Sequence, residues 1–197
     1  MADPKIGAVL LGAGFSRRFG ADKRQAKFEH TTVARATLET YTDVFEHVRV
    51  VLREEDEDLA HLLGAADIVV AHDAQLGMGH SLAAGVENLD WDWVFIGLLD
   101  MPFIGPQTLR HLVNEARHQD PAEKAILQPL QITEHISGHP IAFHASLIGQ
   151  LAACTGDEGA RQVIAENRDL VRQVTVADPG IYRDIDTPDD LPPQRSD

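Results

Sequence analysis

Residues 10–23 read LLGAGFSRRFGADK, with three glycines, a serine, two arginines and a lysine directly behind an apolar run. Such a loop is suited to an anion: Gly12 and Gly14 let backbone N–H groups approach a ligand closely, and the start of a following helix would add its positive end. Residues 17–27 hold Arg17, Arg18, Lys23, Arg24 and Lys27, five of the chain's 17 cations, on a protein of formal net charge −14. That local reversal of charge points to phosphate. The plainer reading is a glycine turn followed by a solvated basic face, and on the loop alone the two stand level. The Walker pattern G-x-x-x-x-G-K-[ST] is absent, and the dinucleotide fingerprint G-x-G-x-x-G fails because Arg17 stands at its sixth place.

Carboxylates supply the second chemistry. Asp100 follows the apolar run WVFIGLL, where it is either a hard oxygen ligand for Mg²⁺ or a turn aspartate before Met101 and Pro102. In RDIDTPDDL, Thr187, Pro188 and Asp190 make a helix start: a cap, a first-turn proline and an acid three places after the cap. Asp184 and Asp186 lie two apart on an expected strand and so share a face, which capping does not require. In AQLGMGHSLAAG, Gly77 and Gly79 permit close approach and Ser81 offers a hydroxyl; the structural alternative is a glycine-capped helix burying Leu82 and Val86. His135, His139 and His144 form no helical metal set, because Gly138 and Pro140 interrupt them.

These residues need elements to hold them. KIGAVLL, HVRVVL, DIVVAH and WVFIGLL have the length and Val/Ile content of strands, several apolar on both faces as buried parallel strands are. Helical spacing puts Val33, Leu38, Tyr41 and Phe45 near one face, and Leu109, Leu112, Val113 and Ala116 on another behind Pro106. KAILQPL, HPIAFH, a helix through GARQVIAEN, VRQVTV and IYRDID complete an alternating pattern. The expected fold is a Rossmann-like three-layer α/β/α sandwich with a mostly parallel sheet and some antiparallel pairing late in the chain. Ligands in such sheets sit at the carboxyl ends of strands, which is where Gly12 and Asp100 fall.

Composition narrows the partners. A chain of 197 residues, 44% hydrophobic, fits one domain, and no composition shift marks a boundary within residues 1–197. The acidic balance argues against nucleic acid and against an anionic membrane. No apolar stretch approaches a spanning helix, and no targeting signal is read at the start. Cys154 is the only cysteine, which excludes an internal disulfide and a thiolate cluster and leaves a reducing, cytoplasmic setting as the expectation.

LGAGFSRRFGADK resembles the signature L-A-A-G-x-S-x-R-M-G-x-x-K of the molybdenum cofactor nucleotidyltransferases, the cytidylyltransferase and guanylyltransferase family that activates molybdopterin. GMGHSL, LLDMPF, GHPIAF and RDIDTPDDL resemble, in order and spacing, that family's G-M-G-x-S-L, G-D-M-P, G-x-P-h-x-F and D-I-D-T-P-E-D-L, so the likeness runs from residue 10 to 191. The resemblance implies transfer of a nucleotide from an NTP to a phosphorylated acceptor. It makes Leu11, Gly12, Ala13, Gly14, Ser16, Arg18, Lys23, Gly77, Gly79, Ser81 and Asp100 the nucleotide contacts, with Arg18, Lys23 and Asp100 catalytic. It also implies Mg²⁺ on Asp100 with Asp184 or Asp186, and acceptor contacts at His139, Asp157 and Arg161. Asp157 and Arg161 also fit a salt-bridged helix start. Ala13 and Gly14 look closer to the cytidylyltransferase form, implying CTP. The implied acceptor is molybdopterin or its molybdenum-loaded form, with a molybdoenzyme as a downstream partner. Other readings are GTP, a sugar phosphate or methylerythritol phosphate acceptor, or a carrier that transfers no nucleotide. The chain departs from the pattern at Gly12, where the cytidylyltransferases usually carry alanine, and at Leu99, which replaces the glycine of G-D-M-P. KRQAKF is also more polar than the usual K-x-L-L-P-L.

Overall fold

The computed structural model describes residues 3–15, 19–64, 66–120 and 122–193. The strands are β1 (Ile6–Leu11), β2 (Lys27–Phe28), β3 (Thr31–Thr32), β4 (His47–Leu52), β5 (Asp67–Val70), β6 (Trp93–Leu98), β7 (Ile126–Gln131), β8 (Ile141–His144) and β9 (Val171–Val176). The α-helices are α1 (Val33–Thr42), α2 (Glu57–Leu63), α3 (Met78–Val86), α4 (Pro106–Arg117), α5 (Ile148–Ala152) and α6 (Ala160–Glu166). A seven-stranded sheet runs in the order β5-β4-β1-β6-β8-β7-β9, while β2 and β3 form a separate small hairpin. Only β8 runs against its sheet neighbours, pairing antiparallel with β6 and β7. The expected mostly parallel α/β architecture, with its antiparallel exception late in the chain, is the one observed.

Helices cover both sheet faces. On one face Leu38, Tyr41, Leu59, Leu109 and Leu112 pack with Leu10, Leu52 and Phe95; on the other Leu82, Val86, Leu151 and Val163 pack with Val9, Val51, Ile96 and Phe143. Alternate residues of β1 and β6 therefore enter opposite cores, which is why these strands are apolar throughout.

The boundaries differ in instructive places. Helix α1 stops at Thr42 rather than reaching Phe45, yet Phe45 stays buried because its N–H bonds the Tyr41 carbonyl at 2.8 Å. IYRDID is not a strand. Asp178 accepts the Gly180 N–H and starts a 3-10 turn at Pro179–Tyr182, after which residues 183–186 run as irregular chain outside the sheet. Ile181 and Ile185, both fully buried, account for the apolar signal that imitates a strand. The β2–β3 hairpin, α2 and α5 carry no sequence signal strong enough to have been anticipated.

Register sets where loops emerge. Leu11 lies beside Val51 of β4 and Leu98 of β6, so the segments after all three strands leave the sheet at one edge. Gly12 N–H bonds the Val51 carbonyl at 2.8 Å and Leu99 N–H bonds the Leu11 carbonyl at 3.0 Å, carrying the alignment past the strand ends.

Among the described residues the core holds a polar defect at Tyr41. Its ring stacks on Phe45 and its hydroxyl is buried beside Gly97 of β6 without a hydrogen-bond partner. Replacing Tyr41 by Phe removes that desolvated group and keeps the ring, so Tyr41→Phe is expected to raise unfolding stability by about 1 kcal/mol. A urea titration in which the variant unfolds earlier than wild type would contradict this.

Candidate active site

A cavity of about 460 Å³ opens at that edge, walled by Leu11 to Phe15, Lys23, Arg24, Gly77, Met78, Ser81, Asp100, Asp157, Asp184 and Asp186, among others. Its size suits a small-molecule site. The anticipated strand-end location is observed, and two chemistries meet there: glycine-rich backbone after β1, and carboxylates from the turn after β6 and the crossing segment 183–186.

Lys23 joins the two. Its Nζ lies 2.6 Å from Asp100 Oδ2 and 3.1 Å from Asp186 Oδ1, all three side chains mostly shielded from solvent. Burial alone would push the ammonium down, but Asp100 and then Asp186 hold it above the usual lysine value, so it stays charged. The other oxygen of Asp100, Oδ1, is buried with no hydrogen-bond partner. Asp184 completes the acidic group: partial burial, then the charges of Asp186 and Asp100, push its carboxyl above the ordinary range. Three carboxylates thus face one ammonium.

Local chain features explain this convergence. Ile185 is buried against Phe28 and Val33, and its N–H bonds the Asp100 carbonyl at 3.0 Å, fastening the crossing segment to the turn after β6. Asp184 and Asp186 therefore reach the cavity from either side of a buried isoleucine, on irregular chain rather than on a strand. The expected Thr187 capping box is present: Asp190 accepts the Thr187 N–H at 2.7 Å and its hydroxyl at 2.9 Å, and the Asp186 N–H at 3.1 Å.

Other anticipated residues divide by position. Gly12, Ala13, Gly14, Gly77, Ser81 and Asp157 stand on the cavity wall. Gly79 does not: its N–H bonds the Gly156 carbonyl at 2.7 Å, and a Cβ there would lie 2.6 Å from the Thr155 backbone, so its glycine serves chain packing. Gly77 has φ +121° and is likewise crowded by Gly156 and Asp157, while still lining the cavity. The GMGHSL and TGDEG segments are thereby one packed unit, and this contact carries Asp157 to the wall. Arg161 is exposed on α6 and His139 lies behind β6 with Nδ1 3.4 Å from the Ile96 carbonyl, neither among the wall residues. Burial drives His139 toward the neutral imidazole. Ser16, Arg17 and Arg18 lie outside the described residues.

The five cations are not equivalent. Lys27 is exposed on β2 and absent from the wall. Arg24 is only 2% exposed and paired with Asp22 and Asp56, so its charge is already committed within the fold. The two departures at Gly12 and Leu99 are complementary: a Cβ on Gly12 would lie 2.6 Å from Leu99 Cδ2, so bulk absent from one loop is supplied by the other. Leu99 is itself buried.

A cavity in which glycine-rich backbone and a lysine face carboxylates is the equipment of a nucleotidyltransferase, and comparison with known proteins agrees. The chain belongs to the MobA-like NTP transferase domain family, whose profile matches residues 8–172. It is 30% identical over 205 residues to the purine catabolism protein PucB of Bacillus subtilis, covering 96% of each chain. A probable molybdenum cofactor guanylyltransferase of Natranaerobius thermophilus is 27% identical over 57% of this chain and 55% of its own. Among solved structures, Rv0371c from Mycobacterium tuberculosis superposes with TM-score 0.82 at 29% identity, covering 96% of both chains. A complex of Rv0371c with manganese gives 0.77 at 27% identity, covering 94% and 95%. No helix among the described residues is long and apolar enough to cross a membrane.

The Arg24 pairing also makes folding sensitive to acid. Burial alone would raise the Asp56 carboxyl, but hydrogen bonds from Arg24 and Arg53 hold it down to about 2, against an ordinary value of 3.8. A carboxyl whose folded value is depressed contributes stability that is complete above its unfolded value and is lost as the proton returns. Roughly 2 kcal/mol is therefore expected to disappear between about pH 4 and pH 2. Urea unfolding across that window should show a shallower acid loss in Asp56→Asn than in wild type; equal slopes would dismiss Asp56 as the group responsible.

Proposed function

We propose that the chain transfers CMP from CTP to molybdopterin or its molybdenum-loaded form, with release of pyrophosphate and in dependence on Mg²⁺. The observation that carries this reading is Lys23 held between Asp100 and Asp186 beside the glycine-rich wall. In the reaction an acceptor phosphate oxygen bonds to the α-phosphorus while the bond from that phosphorus to the bridging oxygen breaks, and the electron pair leaves with pyrophosphate. Such transfer depends chiefly on positioning and charge compensation.

This chain's residues divide that work. Gly12, Ala13 and Gly14 bring backbone to the triphosphate, joined by Ser16 and Arg18 on the resemblance of the loop signature. Lys23 turns from the carboxylates toward the β-phosphate, where its charge offsets what grows on the leaving group. Ser81, Gly77 and Asp157 also line the cavity; in this reading Ser81 and Gly77 orient the nucleoside and Asp157 contacts the acceptor, as the resemblance of their segments implies.

The donor set fits a divalent ion. The orphaned Asp100 Oδ1, with Asp186 and Asp184 close behind, offers hard oxygen ligands and excess negative charge. Among the described residues no three such side chains stand ready as a cage, so the ion is to be held jointly by carboxylates and substrate phosphates, as is usual for Mg²⁺. When bound it would supply electrophilic assistance at the triphosphate oxygens.

GTP is the second reading, favoured by the names of relatives such as the guanylyltransferase of N. thermophilus. Melting temperatures with each of the four NTPs and Mg²⁺ decide between them: CTP is expected to give the largest rise, and a larger rise with GTP would transfer the base assignment to guanine.

Asp100→Asn tests the reaction itself. It preserves shape while removing charge, so pyrophosphate release from CTP with molybdopterin is expected to fall roughly 100-fold or more. The residue lies in a turn at the strand edge, so the melting temperature should change little. Equal activity would remove Asp100 from the mechanism; no release from either protein, with the acceptor still bound, would favour the carrier reading.

A further inference from the structure

KRQAKF, the stretch where the chain departs from its relatives' more apolar pattern, puts an arginine beside the proposed phosphate lysine. Arg24 spends every guanidinium hydrogen. Nε donates to Asp22 Oδ1 at 2.8 Å; Nη1 donates to Asp56 Oδ2 at 2.6 Å and to the Gly12 carbonyl; Nη2 donates to Asp56 Oδ1 at 2.6 Å and to Asp22 Oδ2 at 2.7 Å. These five bonds match the five donors that the planar fork possesses.

The partners sit at strategic places. Gly12 is the first residue after β1, and Asp22 stands at the other end of the glycine-rich stretch, just before the Lys23–Gln25 turn. Asp56 belongs to the segment after β4 and precedes α2, yet its carboxylate makes no cap bond to that helix. Instead it receives Arg24, the Arg53 backbone N–H at 3.0 Å, and Arg53 Nη2 at 2.6 Å. Arg53 in turn lies over the Phe15 ring at 4.9 Å, on the cavity wall. Asp22 also accepts the Arg24 N–H at 3.0 Å and caps the 3-10 turn Lys23–Gln25. That turn sends Arg24 inward while its neighbour Lys23 faces Asp100.

We propose that Arg24, seated on Asp56, is a positioning residue that clasps both ends of the glycine-rich loop and so presets the triphosphate cradle and the direction of Lys23. The inference rests on the nucleotidyltransferase reading for its ligand, but its mechanical part concerns the loop alone. Arg24 and Asp56 are buried, with the partly exposed Asp22 and Arg53 completing a balanced set of two cations and two carboxylates, so Arg24 acts through the backbone it holds rather than by contact with phosphate. A lysine cannot replace it, having three donors on a single nitrogen and no fork.

The test uses the full chain with Arg24→Met, Arg24→Lys and the double variant Arg24→Met/Asp56→Leu, which removes both partners of the buried pair. Amide hydrogen exchange is read without nucleotide, and CTP affinity with Mg²⁺ is read by calorimetry, both well below each variant's melting temperature. Both single variants are expected to exchange roughly tenfold faster over residues 12–15 and 19–22 with β6 unchanged, and to bind CTP roughly tenfold more weakly. Removing one partner of a buried pair is costly, whereas removing both is much less so, so the double variant should recover melting temperature. It should not recover loop protection or affinity. Recovery of affinity together with stability, or wild-type protection in the folded single variants, would overturn the proposal. If wild type bound no triphosphate at all, the functional reading would fail, and loop exchange alone would still decide whether Arg24 clasps the loop.

Discussion

Like charges brought together at the edge of a sheet must be compensated, and that constraint organises the site. Asp100, Asp184 and Asp186 arrive from two separate segments and would repel one another without a cation between them. Lys23 supplies it at 2.6 Å from one carboxylate and 3.1 Å from another. Partial burial, and then the excess of acid over base, make Asp184 hold its proton more tightly than usual, and one oxygen of Asp100 is left without a donor. In the proposed reaction a polyanion and a divalent cation arriving together would relieve both sides at once, the lysine turning to the phosphate and the carboxylates to the metal.

That small electrostatic centre depends on packing around it. Parallel register aligns the ends of β4, β1 and β6, so three loops share one rim. Ile185 is buried below the crossing segment and fixes the two aspartates flanking it. The glycines at 77 and 79 let the start of α3 lie against residues 155–157, so a motif that reads as a ligand loop also does structural work between distant parts of the chain. Gly12 and Leu99 show the same economy: each departs from the motif that its stretch resembles, and the two side-chain positions share one space.

Much of this was legible in the sequence because it is local. Apolar runs with Val and Ile, the interval between them, the glycine loop behind β1, the aspartate behind β6 and the Thr187 cap are all readable from neighbours a few positions apart, and each stands where it was expected. IYRDID misled because two isoleucines, alternating with polar residues, look alike whether they line a strand or plug an irregular segment; pairing, which distinguishes the two, is made with residues far away in the chain. Arg161 and His139 were placed by motif likeness alone, and neither reaches the cavity wall.

By itself the sequence determined the α/β class and the strand ends behind which Gly12 and Asp100 fall, because hydrophobic periodicity and strand-end position are properties of short stretches; Lys23, Asp100 and the pair Asp184 and Asp186 were singled out by motif likeness. Only the tertiary structure decided what the charges do. Arg24 and Lys23 are adjacent cations that look interchangeable in one dimension and both border the cavity, yet Arg24 is bonded throughout to Asp22, Asp56 and Gly12 while Lys23 lies between Asp100 and Asp186. Asp56 lies 32 residues from Arg24. Whether a charge is spent in the fold or kept for a ligand depends on which distant partner reaches it first and how much water remains between them, and that is settled only when the chain closes on itself.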